Sequence, residues 1–585
     1  MTSAQTAASD PRVSAFVSAH AGTGKTKLLI DRLLRLMLAG AQPERILCLT
    51  YTKAAAAEMA IRLQRKLGGW VALPDAELNA ELHGLDLDAG PKSRQAARAL
   101  FARVLDLPGG MRIETIHAFC QSLLRRFPLE AAISPHFQLV DPADARAELE
   151  AAREAALPVA DPAGLATLAG LVNADRFAEL VKTLEANRHR LEKTLALPPE
   201  ALSAAMRRAV GVVYVNQAAI LESVADWPDA GPLRSQVQLA ERHGSPGVKA
   251  KSGKILEWLS LPADLRAEHW EQWTNLFFIK AGDFSAPSSF ANANLAKQHP
   301  GIIPACQAEQ TRIEAVQEQC RAHRCAEASA ALLRTAAPIL ATYSAAKHRR
   351  ALVDYDDLIG RTRALLENRD DAAWVLFKLD GGLDHLLLDE VQDTAPAQWE
   401  IADRLTTDFF TGAGAREEQA LPRTIFAVGD RKQSIYSFQG ADPAEFERWR
   451  GIYERRVTQA DLPWRATELA VSFRSTAPVL ALVDAVAAAT GPQGGVLEPG
   501  SPALTHTPAR TGQAGEVLLW PMTPRPEPAE HTPWSIPDRN QAQISAPQIL
   551  ANQLAAWIAG EVASGTHPGD ILVLVRRRIE FDQKS

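Results

Sequence analysis

The run Ser18-Ala19-His20-Ala21-Gly22-Thr23-Gly24-Lys25-Thr26 sets two glycines, a lysine and a threonine at a spacing that can hold phosphate. It follows a short apolar run at 13–17 and opens an amphipathic pattern over 28–38. Strand, glycine-containing loop, helix is the setting a phosphate-binding loop requires. Gly22 and Gly24 let backbone N–H groups come close to phosphate oxygens. Lys25 can reach the β- and γ-phosphates, and the Thr26 hydroxyl can hold Mg²⁺. The helix N-terminus adds its positive dipole end. Ala19 stands where the general pattern has its first glycine.

A second group of candidates lies far downstream. Leu386-Leu387-Leu388-Asp389-Glu390 is an apolar strand ending in two acids. Beside a phosphate loop, Asp389 would hold Mg²⁺, through water, and Glu390 would orient or deprotonate an attacking water. Thr424-Ile425-Phe426-Ala427-Val428-Gly429-Asp430 is another buried strand pattern, ending in a Gly-Asp turn. Gln433, just past it, can contact a γ-phosphate or its attacking water. Tyr436 and Phe438 can stack on bases, since an aromatic face tolerates any base, although isolated aromatics also serve as core. Arg474, in Ser472-Phe473-Arg474-Ser475-Thr476, can neutralise charge developing on a γ-phosphate.

The elements that must position these groups follow from patterning. Apolar strands alternate with helical periodicity over about 12–125, which predicts an α/β fold with a parallel sheet. From about 140 to 345, alanine, leucine, glutamate and arginine dominate, and a mostly helical insertion is expected. The stretch 244–254 reads as a loop within it. Trp258, Trp270 and Trp273 read better as helix-packing residues than as a wedge against DNA. A Pro/Gly-rich passage at 491–512 reads as a linker. Beyond it, 515–520 and 571–575 read as two strands of a second α/β unit, with a helix over 549–562 between them.

Composition bounds the function classes. The 585 residues call for two to four domains. A net charge of −6 gives no general attraction to nucleic acid, so a DNA-binding surface has to be a local patch. Five scattered cysteines make no disulfide framework, which fits a reducing cytoplasm. The spacing of Cys320, His323 and Cys325 matches no dependable metal pattern. The apolar run after Lys25 is broken by Asp31, Arg32 and Arg35 and does not read as a membrane span.

Taken in order, these segments closely resemble the UvrD/Rep group of superfamily 1 DNA helicases. Ile46-Leu47-Cys48-Leu49-Thr50-Tyr51-Thr52-Lys53, Thr115-Ile116-His117-Ala118-Phe119-Cys120, Asp389-Glu390-Val391-Gln392-Asp393-Thr394 and Gly429-Asp430-Arg431-Lys432-Gln433 carry the likeness with the phosphate loop. Within that group the wording is most similar to the AddA family of helicase–nucleases from bacterial double-strand-break repair complexes. Ala19 is normal for the group.

The resemblance implies a motor of two RecA-like domains using ATP and Mg²⁺, stepping 3′ to 5′ along single-stranded DNA at a duplex junction. It implies an AddB-like heterodimer partner and no membrane. It assigns Gln5 to reading adenine, Phe473 to stacking on it, and Ala21, Gly22, Thr23, Gly24, Lys25 and Thr26 to the phosphates. Arg474 takes the place of an arginine finger, and Gln433 couples the γ-phosphate to DNA. Thr50, Tyr51, Thr52, Thr115, His117, Tyr436 and Phe438 lie where such helicases touch single-stranded DNA. Gln439 stands where UvrD-like enzymes commonly have arginine. The expected organisation is a first motor domain in two parts, 1–138 and 348–490, around an accessory insertion at 139–347. A linker at 491–512 and an incomplete second motor domain at 513–585 follow. On this reading the later helicase motifs and a nuclease domain lie beyond Ser585, and the chain is an incomplete motor. The competing expectations are a stand-alone UvrD/Rep-like repair helicase and a non-catalytic DNA-binding remnant.

Overall fold

Six strands form the main sheet: β1 (Ser14–Ala19), β2 (Ile46–Thr50), β3 (Arg112–Thr115), β6 (His385–Asp389), β7 (Thr424–Gly429) and β8 (Trp464–Leu469). Their order across it is β3-β2-β6-β7-β1-β8. Two short strands, β4 (Gln138–Leu139) and β5 (Leu352–Val353), pair with each other in parallel. The computed structural model describes residues 3–225, 227, 230–279, 283–367, 374–375, 378, 382–410, 421–434, 440–490, 503–524 and 545–575. Packing divides the chain into two units, one of 1–19 with 25–468 and one of 20–24 with 469–585.

In the first unit, β1, β7, β6, β2 and β3 are mutually parallel. The centre of the sheet is apolar on both faces: Leu47, Leu386, Leu387, Ile425, Phe426 and Phe16 are all buried. Parallel strands flanked by helices read as continuous apolar runs for this reason. One core gathers Phe16, Leu47, Phe119, Leu386, Trp399, Ile425 and Tyr453. Because the five strands run the same way, their C-terminal ends lie along one edge of the sheet. That edge carries Thr50, Thr115, Asp389 and Gly429. In parallel α/β sheets, ligands bind outside this edge.

The β4–β5 pair brackets a helical excursion running from Pro142 to Arg349. Its spine is the 48-residue helix Ile302–Arg349, against which the shorter helices pack. Trp258 and Trp273 stack at 3.9 Å between ring centroids, and Trp270 meets Trp258 edge-on. All three are buried, so they pack the core of the helical excursion. The loop expected at 244–254 is instead the start of a helix, Pro246–Ser260. Proline at the first helical position suits a helix start. Val248, Ile255, Trp258 and Leu259 then bury one face, outweighing the two glycines.

The second unit holds the loop 20–24, β9 (Val471–Ser472), β10 (Thr507–Pro508) and the helices Ala477–Thr490 and Ala546–Ala563. The helix expected at 549–562 therefore forms. The strands expected at 515–520 and 571–575 do not: neither segment joins a ladder among the described residues. Leu519 and Leu574 are almost fully exposed. Apolar alternation makes a strand only when another strand supplies its hydrogen bonds.

Candidate active site

Lys25 opens the helix Lys25–Leu38 directly after β1 and the loop. Its Nζ donates to Glu390 Oε2 at 2.7 Å. Glu390 follows the last residue of β6 and sits in the left-handed region, with φ +50° and ψ +44°. A glutamate in this conformation is uncommon, and strain of this kind collects where function demands a side-chain direction. Its backbone N–H donates to Asp389 Oδ1 at 3.0 Å. Gln392, to which the sequence alone gave no task, donates to Glu390 Oε2 at 2.7 Å and accepts from the Asp430 N–H at 2.9 Å. It thereby ties the end of β6 to the end of β7. Its sequence signal is a glutamine set between the acids of Asp389-Glu390-Val391-Gln392-Asp393.

Burial, with the Glu390 charge beside it, pushes the Asp389 carboxyl up to about 7. Lys25 and the Glu390 N–H pull in the opposite sense. A nearly buried carboxylate raised in this way is well suited to a hard divalent cation, and a threonine hydroxyl is a second oxygen donor of the same kind. The donor set of Thr26 and Asp389 therefore fits Mg²⁺. Gln433 donates to Asp430 Oδ2 at 2.5 Å, at the end of β7.

Within the second unit, Gly22 and Gly24 have φ of +75° and +84°, which glycine adopts without penalty. A Cβ on Gly22 would lie 2.5 Å from Arg474 Cβ. The Phe473 N–H donates to the Gly22 carbonyl at 2.8 Å, and His20 N–H donates to the Leu469 carbonyl at 3.1 Å. Thr23 closes the loop on itself, its Oγ1 donating to the His20 carbonyl at 2.8 Å. The Phe473 ring is about half exposed, and Arg474 and Ala21 are exposed. Gln5 lies in the short helix Ser3–Ala8 of the first unit and is buried.

The DNA-contact candidates of the first unit share the strand edge. Thr50 is paired in register with Thr115. Among the described residues its buried hydroxyl has no hydrogen-bond partner. A narrow cleft lined by Thr50, Tyr51, Asp389 and Thr394 joins this end of β2 to Asp389 at the end of β6. Thr52 and Thr115 carry a local duty: they cap the helices Lys53–Ala72 and Ile116–Arg126, accepting from Ala55 N–H and Ala118 N–H. His117 packs edge-on against the ring of Tyr355 at 5.3 Å, and burial lowers its pKa. Tyr355, at the start of the helix Tyr355–Glu367, is half exposed and carried no signal in the sequence. Tyr436, Phe438 and Gln439 lie outside the described residues.

The mixed α/β fold with its parallel sheet is consistent with a comparison against known families. The chain belongs to the UvrD/REP helicase N-terminal domain family, matched over residues 1–453. Among curated proteins it is similar to the ATP-dependent helicase/nuclease subunit (AddA) of Latilactobacillus sakei, at 25% identity over 78% of this chain and 51% of that protein. The protein of the same name from Desulforudis audaxviator is 28% identical over 80% of this chain and 38% of its own length. That from Listeria monocytogenes is 25% identical over 74% of this chain and 34% of its own. The chain thus spans about half or less of the length of these relatives. No helix among the described residues is long and apolar enough to cross a membrane.

Proposed function

We propose that this chain carries the ATP site and part of the DNA-contact face of a repair helicase of the AddA kind. On this reading it hydrolyses ATP and moves 3′ to 5′ along single-stranded DNA, in the cytoplasm, beside an AddB-like partner. The observation that carries the reading is the Lys25–Glu390 contact beside the buried Asp389, at the C-terminal edge of a parallel sheet. A phosphate-binding lysine and an acid able to handle water are brought together from 365 residues apart.

The chemistry assigns each residue a task. Backbone N–H groups of 21–26 and the helix N-terminus hold the phosphates, with Lys25 as the point charge. Thr26 and Asp389 would hold Mg²⁺, which would offset the charge of the phosphates. Glu390 orients the attacking water and takes its proton, and Gln392 keeps the Glu390 carboxylate aimed. Gln433 senses the γ-phosphate, Arg474 neutralises charge leaving with it, and Phe473 stacks on the base that Gln5 reads. Thr50, Tyr51, Thr52, Thr115 and His117 contact the strand, and the exposed Tyr355 ring adds a stacking surface beside His117. The helical region 139–347 serves as the accessory domain toward duplex DNA.

The test is nucleotide binding and ATP hydrolysis by the purified chain, with and without single-stranded DNA, beside Lys25→Ala. Nucleotide binding lost in Lys25→Ala, with any DNA-stimulated turnover lost alongside it, is the expected result. A wild-type chain that binds DNA but no nucleotide would refute the motor and leave a DNA-binding module.

A further inference from the structure

Two arginines that interrupt an apolar run in the sequence are buried. Arg32 is fully inaccessible and Arg35 nearly so, both on the helix Lys25–Leu38 that follows the phosphate loop. Among the described residues, Arg32 has no carboxylate among its hydrogen-bond acceptors. Its Nη1 donates to the carbonyls of Ala8, at 3.1 Å, and Asp10, at 2.6 Å. Its Nη2 donates to the Val13 carbonyl at 2.7 Å and to Thr424 Oγ1 at 3.0 Å. The guanidinium also lies over the Phe426 ring, 5.0 Å from the centroid. Arg35 Nη1 donates to the Thr6 carbonyl at 2.6 Å and to Ser9 Oγ at 2.7 Å.

The acceptors form a pattern. Thr6, Ala8, Ser9, Asp10 and Val13 belong to one stretch of chain, directly after Gln5. Two forks from one helix therefore hold it. Burying a guanidinium away from water is expensive unless its donors are satisfied. Burial lowers the Arg32 pKa to about 9, with Asp10 opposing the shift and Arg35 adding to it. An apolar side chain would fill this space at less cost if packing were all that was needed. A planar five-donor fork is suited to fixing several carbonyls of an irregular segment at once.

We propose that Arg32 and Arg35 are positioning residues for nucleotide-base recognition, clamping the segment around Gln5 to the helix that begins at Lys25. This rests on the reading of Gln5 as the group that meets adenine. The helix that carries the phosphate-binding lysine then also sets the place of the base reader, so phosphate and base contacts share one rigid support.

The test uses the whole chain with Arg35→Met, Arg32→Met and Gln5→Ala. Two readouts are taken: amide hydrogen exchange over 3–13, and titration with fluorescent ATP and GTP analogues in the presence of Mg²⁺. In Arg35→Met, protection over 3–13 falls about tenfold or more while β1 and β7 keep theirs. The preference for the adenine nucleotide falls by about tenfold, the worth of one base-reading hydrogen bond, with the guanine nucleotide unaffected. Arg32→Met gives the same result where it folds; Arg35→Met, at the edge of the cluster, decides the matter where it does not. Unchanged protection over 3–13 overturns the clamp. Lost protection with the adenine preference intact overturns its role in recognition. If wild type and Gln5→Ala show the same lack of preference, the Gln5 reading itself fails and the proposal falls with it; exchange still reports separately on the clamp.

Discussion

Replacing Arg188 with methionine should loosen the root of the helical excursion between β4 and β5. Arg188 begins the helix Arg188–Leu195, and its side chain is 7% exposed. It bonds Asp354 Oδ1 at 2.5 Å and Asp357 Oδ1 at 2.7 Å, and it also pairs with Glu185. Lys347, 3% exposed, bonds the other oxygens of Asp354 and Asp357 at 2.5 and 2.6 Å. The cluster joins four helices: Ala174–Ala186 through Glu185, Arg188–Leu195, Ile302–Arg349 through Lys347, and Tyr355–Glu367 through Asp357. Methionine leaves Glu185, Asp354 and Asp357, with the more exposed Asp356, which pairs with Arg188 at 3.8 Å, around the single ammonium of Lys347. Breaking a buried ionic network in this way costs about 3–5 kcal/mol. Glu185, Asp354 and Asp357 are 14–17% exposed and Asp356 is half exposed, so they can relax toward water and the lower end, about 3 kcal/mol, is expected.

At about 1.4 kcal/mol per decade, that is roughly a hundredfold rise in local opening. Hydrogen exchange over 188–195 and 354–367 reads it directly, and it avoids assuming two-state unfolding in a chain of several parts. The pH dependence carries its own sign. Burial alone would raise the Asp357 carboxyl, but the contact with His189 and the charges of Arg188 and Lys347 hold it well below the carboxylate range. Its contribution is therefore present above its unfolded value near about 4 and is lost as pH falls through the folded one. Burial raises Glu185 and Asp356, which act in the opposite sense and shallow the slope. The gap between wild type and Arg188→Met should be widest near about pH 7 and narrow below about pH 4. A change in opening below about threefold at neutral pH, or a gap that widens with acid, would refute the reasoning.

Other outcomes follow from the same geometry. Glu390→Gln should retain nucleotide binding while steady-state hydrolysis falls by roughly 10²–10⁴, as expected for loss of a general base. Gly22→Ala, at φ +75° and with its Cβ 2.5 Å from that of Arg474, should weaken ATP binding. A cost of about 1–3 kcal/mol is expected, and a titration that matches wild type would count against the loop geometry. Tyr355→Ala should weaken single-stranded DNA binding by about 1–3 kcal/mol, read by fluorescence anisotropy, without altering nucleotide affinity.

What the sequence by itself determined was whatever contiguous residues decide. The glycine-containing loop before Lys25 is one unbroken stretch, and the phosphate chemistry proposed for it needs only backbone N–H groups, one lysine and one threonine. The acids at the end of β6 and the apolar runs of β2, β6 and β7 were legible for the same reason, since local burial sets their pattern. The class of fold and the family followed from those stretches. Tertiary structure decided everything that depends on partners distant in sequence. It brought Glu390 to Lys25 and showed Gln392 holding the carboxylate. It turned Arg32 and Arg35 from charges interrupting an apolar run into buried forks, because acceptors on a preceding segment of chain closed around them. It made a helix of 246–260, where glycine and lysine had suggested a loop, because four apolar side chains found a core. It left 515–520 and 571–575 without a ladder, because strand pattern is local whereas strand pairing is not. Residue type and spacing specify what a group can do. Which group it does it with depends on a neighbour that only folding supplies.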